Sequence, residues 1–244
     1  MSRETLVLLP GLMCDRAVWA SQIAALEGAW RCVVVDYGGA DSLAAMAQLA
    51  LEAAPPRFAL AGHSMGGRVA LEMLRSAPQR ITRVALLDTG HQARPEGEAG
   101  QPEAVQRLRL LELARTQGMR VMGREWVQGM VHPERLRDES LVESILAMIE
   151  RKSPEIFAAQ IRALLSRPSA EGVLRVIGCP TLIVCGRQDL WSPLTRHEEM
   201  ARLVPGARLA VIENSGHMVT MERPEQVTTA LQLWLAGGAP EARS

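Results

Sequence analysis

Six residues, Gly62-His63-Ser64-Met65-Gly66-Gly67, lie between an apolar run, Phe58-Ala59-Leu60-Ala61, and a good helix former, Arg68-Val69-Ala70-Leu71-Glu72-Met73-Leu74. The pattern reads strand, sharp turn, helix, with a serine at the apex. A serine pushed out of a strand end in a strained turn needs bare neighbours two residues away on each side. Any Cβ there would collide with the adjacent strand and helix. Gly62 and Gly66 meet that demand. The bland alternative is an ordinary helix N-cap serine at Ser64.

The rest of the chain repeats the same alternation. Thr5–Leu9 reads as a strand, Ala17–Leu26 as a helix, and Cys32–Asp36 as the next strand, followed by a glycine turn. Ser42 is placed to cap a helix running to Ala53. After the serine turn comes a strand ending at Asp88. Alternating strands and helices argue for a mostly parallel, twisted sheet with right-handed crossovers, an α/β fold. Downstream, Pro180–Gly186 is apolar throughout, as a doubly covered parallel strand is, and Asp189 follows it. Arg208–Ile212 then leads into Glu213-Asn214-Ser215-Gly216-His217-Met218. Asp189 and His217 therefore sit just past strand C-termini, on the edge where open α/β sheets hold their sites.

The chain order Ser64, Asp189, His217 is that of hydrolases with this architecture. With the loop Leu8-Leu9-Pro10-Gly11-Leu12, the turn at Ser64, Gly186-Arg187-Gln188-Asp189 and Ser215-Gly216-His217, the chain resembles the α/β-hydrolase superfamily, specifically its small serine-esterase-like members with a helical cap. The resemblance runs from about Leu6 to Leu235. It implies Ser64 as nucleophile, His217 as base and then acid, and Asp189 as the group holding the imidazole. It also implies an oxyanion hole made by the backbone N–H groups of Leu12 and Met65. Many relatives carry His-Gly in the early loop, where this chain has Pro10-Gly11. Some hydrolases of this type take the acid from the earlier strand, so Asp88 stands beside Asp189 as a candidate. His217 also has a plain reading as a satisfied surface histidine. His63 is expected to point away from the reacting centre in a structural role, and His91, His132 and His197 to be surface or cap residues without metal spacing.

At 244 residues the chain can bury one large core. From Gln101 to Arg167 the periodicity is helical without a convincing strand, with Val105, Leu108 and Leu111, then Val121 and Trp126, then Leu141, Ile145 and Met148, then Ile156 and Ile161 as apolar faces. The expected organisation is a core of residues 1–90 and 171–244, with residues 91–170 as a helical cap over the strand ends. Acidic and basic residues balance at 27 each, which removes any case for a nucleic-acid track or an acidic-lipid surface. Lys152 is the only lysine. That arginine bias reads either as guanidinium recognition of anions or as compositional drift. Cys14, Cys32, Cys179 and Cys185 lack C-x-x-C spacing and are expected reduced. Met1-Ser2-Arg3-Glu4 and the short apolar run after it look unlike an export signal or a membrane span, so a cytoplasmic location is expected. Gly237–Ser244 reads as a frayed tail.

These readings converge on hydrolysis of carboxylic esters of small, largely apolar substrates through an acyl-enzyme, without cofactor or metal. The expected partner is the small-molecule ester alone, with no nucleic acid and no membrane insertion. Met13, Leu190 and Met218 are candidates for the substrate pocket, since adaptable side chains beside a site give a tolerant wall. Two alternatives belong beside this reading: a carbon–carbon bond hydrolase or enol-lactonase of aromatic degradation, and a non-catalytic ligand-binding protein on the same fold. Relatives that cleave carbon–carbon bonds often have Asn at the position of His63. Serine rather than aspartate at the turn argues against dehalogenase or epoxide-opening chemistry.

Overall fold

Three strands are apolar at almost every position and buried along their whole length: β1 (Thr5–Leu9), β3 (Phe58–His63) and β5 (Thr181–Gly186). Such strands need helices on both faces. The computed structural model, which describes residues 3–237, supplies them. With β2 (Arg31–Val34), β4 (Ile81–Leu87) and β6 (Arg208–Ile212) they form one parallel sheet in the order β2-β1-β3-β4-β5-β6. The half-buried strands β2 and β6 are its edges. The tail positions 238–244 lie outside the described residues.

Strand order reverses between β1 and β3, and Leu9 pairs in register with Gly62. The C-terminal ends of these two strands therefore diverge side by side, which opens the crevice used by ligands in doubly wound sheets. Around the sheet lie α1 (Ala20–Leu26), α2 (Leu43–Ala53) and α3 (Met65–Ser76). Between β4 and β5 the described residues form helices and no strand: α4 (Gln101–Gln117), α5 (Met119–Trp126), α6 (Glu139–Glu150), α7 (Pro154–Leu165) and the short α8 (Glu171–Arg175). After β5 come α9 (Leu194–Leu203), α10 (Val219–Glu222) and α11 (Pro224–Leu235). Helix α1 packs on α11, whereas α2, α3, α8 and α9 form a row of successive contacts. No described helix is long and apolar enough to cross a membrane. All four cysteines are free thiols.

Local boundaries differ from expectation where caps decide them. The first helical segment opens as a 3-10 turn, Arg16–Trp19, because the Asp15 carboxylate accepts the Ala17 N–H at 2.8 Å. Strand β2 starts at Arg31 and stops at Val34, before the turn at Tyr37. The expected apolar face of α4 holds only at Leu111, which is buried, since Val105 and Leu108 are 63% and 53% exposed. Helical spacing puts Glu103, Arg107, Leu110, Leu111 and Ala114 on one side of α4, and this is the side turned inward. Val105 and Leu108 lie on the opposite side. Val121 is exposed for a similar reason, because α5 buries Met119, Met122 and Trp126.

The serine turn holds these layers together. A Cβ built on Gly66 would lie 2.1 Å from the Leu9 carbonyl oxygen, and one on Gly62 would lie 2.4 Å from the Gly66 carbonyl oxygen. Backbone, unlike a flexible side chain, cannot step aside without moving β1 or α3. Gly66→Ala should therefore destabilise the protein by about 2–4 kcal/mol, at the severe end of single substitutions. Gly28→Ala, with nothing within 4 Å of its Cβ, is the control that should move far less in a urea titration.

Candidate active site

Ser64 terminates β3 with φ +54° and ψ −117°, outside the regions an L-residue occupies comfortably. Conformations of this kind cost roughly 1–3 kcal/mol and persist only where the surroundings enforce them. Here the Ser64 N–H donates to the Leu87 carbonyl at 2.8 Å, and the Thr89 hydroxyl donates to the Ser64 carbonyl at 2.7 Å. The Ser64 side chain makes no capping bond to α3, so it is not an ordinary N-cap serine. Its hydroxyl lies 2.7 Å from His217 Nε2.

His217 follows β6, and Asp189 follows β5. The His217 Nδ1–H donates to Asp189 Oδ2 at 2.9 Å, which leaves Nε2 free to accept the Ser64 proton. The second carboxylate oxygen of Asp189 accepts the N–H groups of Trp191 and Ser192 at 2.8 and 2.9 Å. Burial works to raise the Asp189 carboxyl, but the His217 ring and those N–H donors outweigh it and hold the group below the usual range. Asp88 is placed elsewhere. Its two oxygens accept the Gly186 and Val219 N–H groups at 2.9 and 3.1 Å, and it makes no hydrogen bond with the His217 ring. Burial, reinforced by the neighbouring Asp189, pushes the Asp88 carboxyl well up.

The backbone of His217 is fastened on every side. Its N–H donates to the Met130 carbonyl at 2.7 Å, and its carbonyl accepts the His63 Nε2–H at 2.8 Å. His63 is thus buried against the loop that carries His217, and it also borders the cavity beside Ser64. Glu222, on α10, accepts the Gly216 and Met218 N–H groups on either side of His217, at 2.9 and 3.2 Å. Its other oxygen accepts the His132 N–H at 2.8 Å. The Trp191 ring lies 4.9 Å from the His217 ring and stacks on Trp126, which in turn meets Phe157.

Leu12 and Met65 both line the cavity beside Ser64, and neither N–H has a hydrogen-bond partner among the described residues. The loop bearing Leu12 is held by two bonds: Tyr37 O–H donates to the Pro10 carbonyl at 3.2 Å, and the Met13 N–H donates to Gln160 Oε1 of α7 at 2.8 Å. The cavity is about 300 Å³, within the range of small-ligand sites. One part of its wall is apolar, from Leu110, Trp126, Phe157, Leu164 and Met218; another carries Arg68, Arg107, Arg167 and Arg196. Met218 is where the sequence places it. Met13 is not: at φ +61° it turns inward beneath its loop and is wholly buried without lining the cavity. Leu190 is 78% exposed, because it sits at the apex of the turn whose following N–H groups grip Asp189.

Of the remaining histidines, His132 caps the turn at Pro133, as expected. His91 and His197 are buried rather than on the surface. His197 Nε2 accepts the Thr89 N–H at 3.0 Å, and its Nδ1–H donates to the Pro193 carbonyl at 3.2 Å, so it braces the strand end beside Asp88. Asp88, Cys185 and His197 come within 4.8 Å of one another. The two His197 nitrogens, both Asp88 oxygens and the Cys185 thiol all make protein hydrogen bonds, which marks a structural cluster. Glu222, Gln160 and Trp191 are contributors that sequence reasoning passes over. Only the proximity of Glu222 and Trp191 to His217 and Asp189 in the chain could have signalled them.

Residues 6–230 match the pattern of the alpha/beta hydrolase family. The pimeloyl-(acyl-carrier protein) methyl ester esterase of Nitrosomonas europaea is 24% identical over 231 residues, covering 91% of each chain. A thermophilic esterase from Thermogutta terrifontis, solved with malate bound, is 30% identical with a TM-score of 0.81, covering 96% of this chain and 91% of that one. The enol-lactonase of Burkholderia xenovorans LB400 superposes with a TM-score of 0.84 at 23% identity over 97% and 92%, a likeness of fold alone.

Burial lowers His197 to about 4 and His63 to about 3, the latter with help from the His217 ring. Both are neutral in the folded protein above those values, whereas an unfolded imidazole takes its proton below about 6.5. The unfolded chain thus binds more protons as pH falls from 6.5 to 4, and this contribution to stability is lost over that window, by up to about 1.4 kcal/mol per pH unit for each ring. The raised Asp88 carboxyl acts in the opposite sense, so the informative quantity is a difference. Urea unfolding of His197→Gln should lose less stability between pH 6.5 and 4.5 than the parent, and parallel curves would remove His197 from this account.

Proposed function

We propose that this chain, which belongs to the alpha/beta hydrolase family, is a serine hydrolase that cleaves carboxylic esters through an acyl-enzyme. The observation that carries the reading is the unbroken relay from Ser64 Oγ through the His217 ring to Asp189, at 2.7 and 2.9 Å. A serine hydroxyl is a weak nucleophile until a base within bonding reach takes its proton. In this reading His217 Nε2 removes that proton as Oγ attacks the carbonyl carbon. Asp189 holds the imidazole in the tautomer with Nδ1 protonated and stabilises the cation that forms, without taking the proton itself.

Negative charge then develops on the former carbonyl oxygen. The Leu12 and Met65 N–H groups are the donors placed for it, and their lack of other partners among the described residues supports the assignment. Loss of one such donor typically costs roughly 10²–10³ in rate. The imidazolium returns its proton to the alcohol, which leaves. Water activated by His217 then attacks the acyl-Ser64 ester and releases the acid. Helices within residues 91–170 act as the cap that shields this intermediate, with Trp126 and Phe157 forming its apolar ceiling. The methyl ester esterase and the thermophilic esterase support ester cleavage.

Ser64→Ala and His217→Ala should each lower kcat by about 10⁴ or more on an activated aryl ester, and the double variant should fall little further, because the residues act as one unit. A fluorophosphonate probe should label the parent and spare Ser64→Ala. Equal labelling of both proteins would end the nucleophile assignment. Glu222→Gln keeps one acceptor oxygen but turns an amide N–H₂ against the backbone donors on the other side, either His132 or Gly216 and Met218, so it should lower kcat by about tenfold or more while leaving KM nearly unchanged. A KM effect alone would assign Glu222 to binding instead.

A further inference from the structure

We propose that the cavity beside Ser64 contains an anion subsite, formed chiefly by Arg68 and Arg196, for a carboxylate or phosphate carried by the ester substrate. The inference deepens the esterase reading and rests on it for the word substrate, but the binding site stands on its own observations.

Arg68 lies one helical turn after Ser64 on α3, about 6 Å along the axis. Side chains of a helix lean toward its N-terminus, so Arg68 projects back toward the serine. Arg196 arrives from α9, just beyond the turn that holds Asp189. The two meet at Gly90: a Cβ there would lie 3.1 Å from an Arg68 guanidinium nitrogen and 3.3 Å from one of Arg196. Gly90 therefore leaves the space in which two cationic forks converge. Both side chains line the same cavity as Ser64 and His217.

What partners these cations have decides the matter. Arg107 and Arg167, also on the cavity wall, are both satisfied by Glu103. Arg167 grips its two oxygens at 2.8 and 2.7 Å, and Arg107 reaches one of them at 2.8 Å. That single carboxylate answers for two guanidiniums. Arg68 and Arg196 instead donate only to main-chain carbonyls, Gln92 at 2.9 Å and Trp191 at 3.3 Å, and neither makes a salt bridge among the described residues. The acids whose charge reaches them, Glu103, Asp189 and Glu199, are committed elsewhere, Glu103 to Arg107 and Arg167 as above. Glu199 pairs with Gln92 Nε2 and His91, and Asp189 with His217. Burial, with the neighbouring Arg167 and Arg196 charges, brings Arg68 down to about 9. Gathering unneutralised guanidiniums in a half-enclosed pocket is costly. A bidentate oxyanion removes that cost, since the guanidinium fork matches carboxylate and phosphate geometry. The apolar wall from Leu110 and Phe157 then contacts the short chain between the anion and the scissile carbonyl.

Calorimetric titration of the parent at low ionic strength with glutarate, inorganic phosphate and glutaramide tests the subsite without turnover. Glutarate or phosphate should bind, with the better of the two naming the head group, and neutral glutaramide should bind at least tenfold more weakly. Arg68→Gln and Arg196→Gln should each weaken the anion at least tenfold, and Arg196→Lys, which keeps charge but loses the fork, should fall between. Thermal melts confirm folding of each variant. With esters, kcat/KM for monomethyl glutarate should exceed that for dimethyl glutarate, and the ratio should drop about tenfold or more in Arg196→Gln. Absence of binding by either anion, glutaramide binding as tightly as glutarate, or affinity undiminished in both Gln variants would overturn the subsite. Anion binding intact while neither ester turns over and Ser64 resists the fluorophosphonate would instead sink the esterase reading and leave the subsite standing.

Discussion

One steric fact organises this molecule: the backbone at Ser64 can reach φ +54° only because Gly62 and Gly66 have no Cβ to meet main-chain atoms little more than 2 Å away. The contact binds three elements at once. Gly66 presses on the end of β1, Gly62 on the first turn of α3, and Gly67 on Thr89 at the end of β4. The same closeness that forbids a methyl group keeps Leu12 and Met65 on the wall of the cavity that Ser64 enters. A turn that were looser by one residue would free the strain, but it would also separate the loop after β1 from the start of α3.

Around that turn the protein divides its buried carboxyl groups by what each touches. Asp189 meets the His217 ring and stays low because that ring and two N–H groups stabilise its charge. Glu222 and Asp88 accept hydrogen bonds from backbone N–H groups, with the His63 ring 3.8 Å from Asp88, and burial raises both. They hold the chain on either side of His217: Glu222 through Gly216 and Met218, Asp88 through Val219. His63 closes the ring of supports by donating to the His217 carbonyl. An imidazole whose backbone is held at four successive residues loses little of its position when the cavity beside it fills or empties.

Strand–turn–helix grammar made much of this legible. Gly62, Ser64 and Gly66 announce the turn because sterics allow few other residues there, and the uniformly apolar Pro180–Gly186 run announces a doubly covered strand that ends near Asp189. Periodicity was less informative for α4, where Val105 and Leu108 look like a core face and are exposed. The inward face of that helix sets Glu103 and Arg107 beside Leu110, Leu111 and Ala114, and a hydrophobic pattern cannot register the charged half of such a face. Met13 and Leu190 failed for a related reason. Nearness in the chain to a site residue says nothing about direction, and the φ of Met13 together with the Asp189 turn sends one inward and the other out. Glu222 and Gln160 were invisible because each acts on backbone N–H groups, contacts that leave no side-chain signature.

The arginine bias is the feature whose meaning changes most between sequence and fold. Read along the chain, 26 arginines against one lysine is compatible with composition alone. Folded, four of them come from α3, α4, α9 and the turn after α7 to one cavity, with a single carboxylate between two of them. Composition can supply arginines, but it cannot choose which four converge, nor leave Gly90 open where two of them meet. A pocket wall of this kind sits poorly with wholly apolar substrates. It sets aromatic and aliphatic side chains, suited to carbon chain, in the same cavity as guanidiniums that water alone satisfies incompletely. The acyl-enzyme chemistry proposed at Ser64 requires only a carbonyl, so on the anion-subsite proposal these arginines select what the substrate carries beyond it.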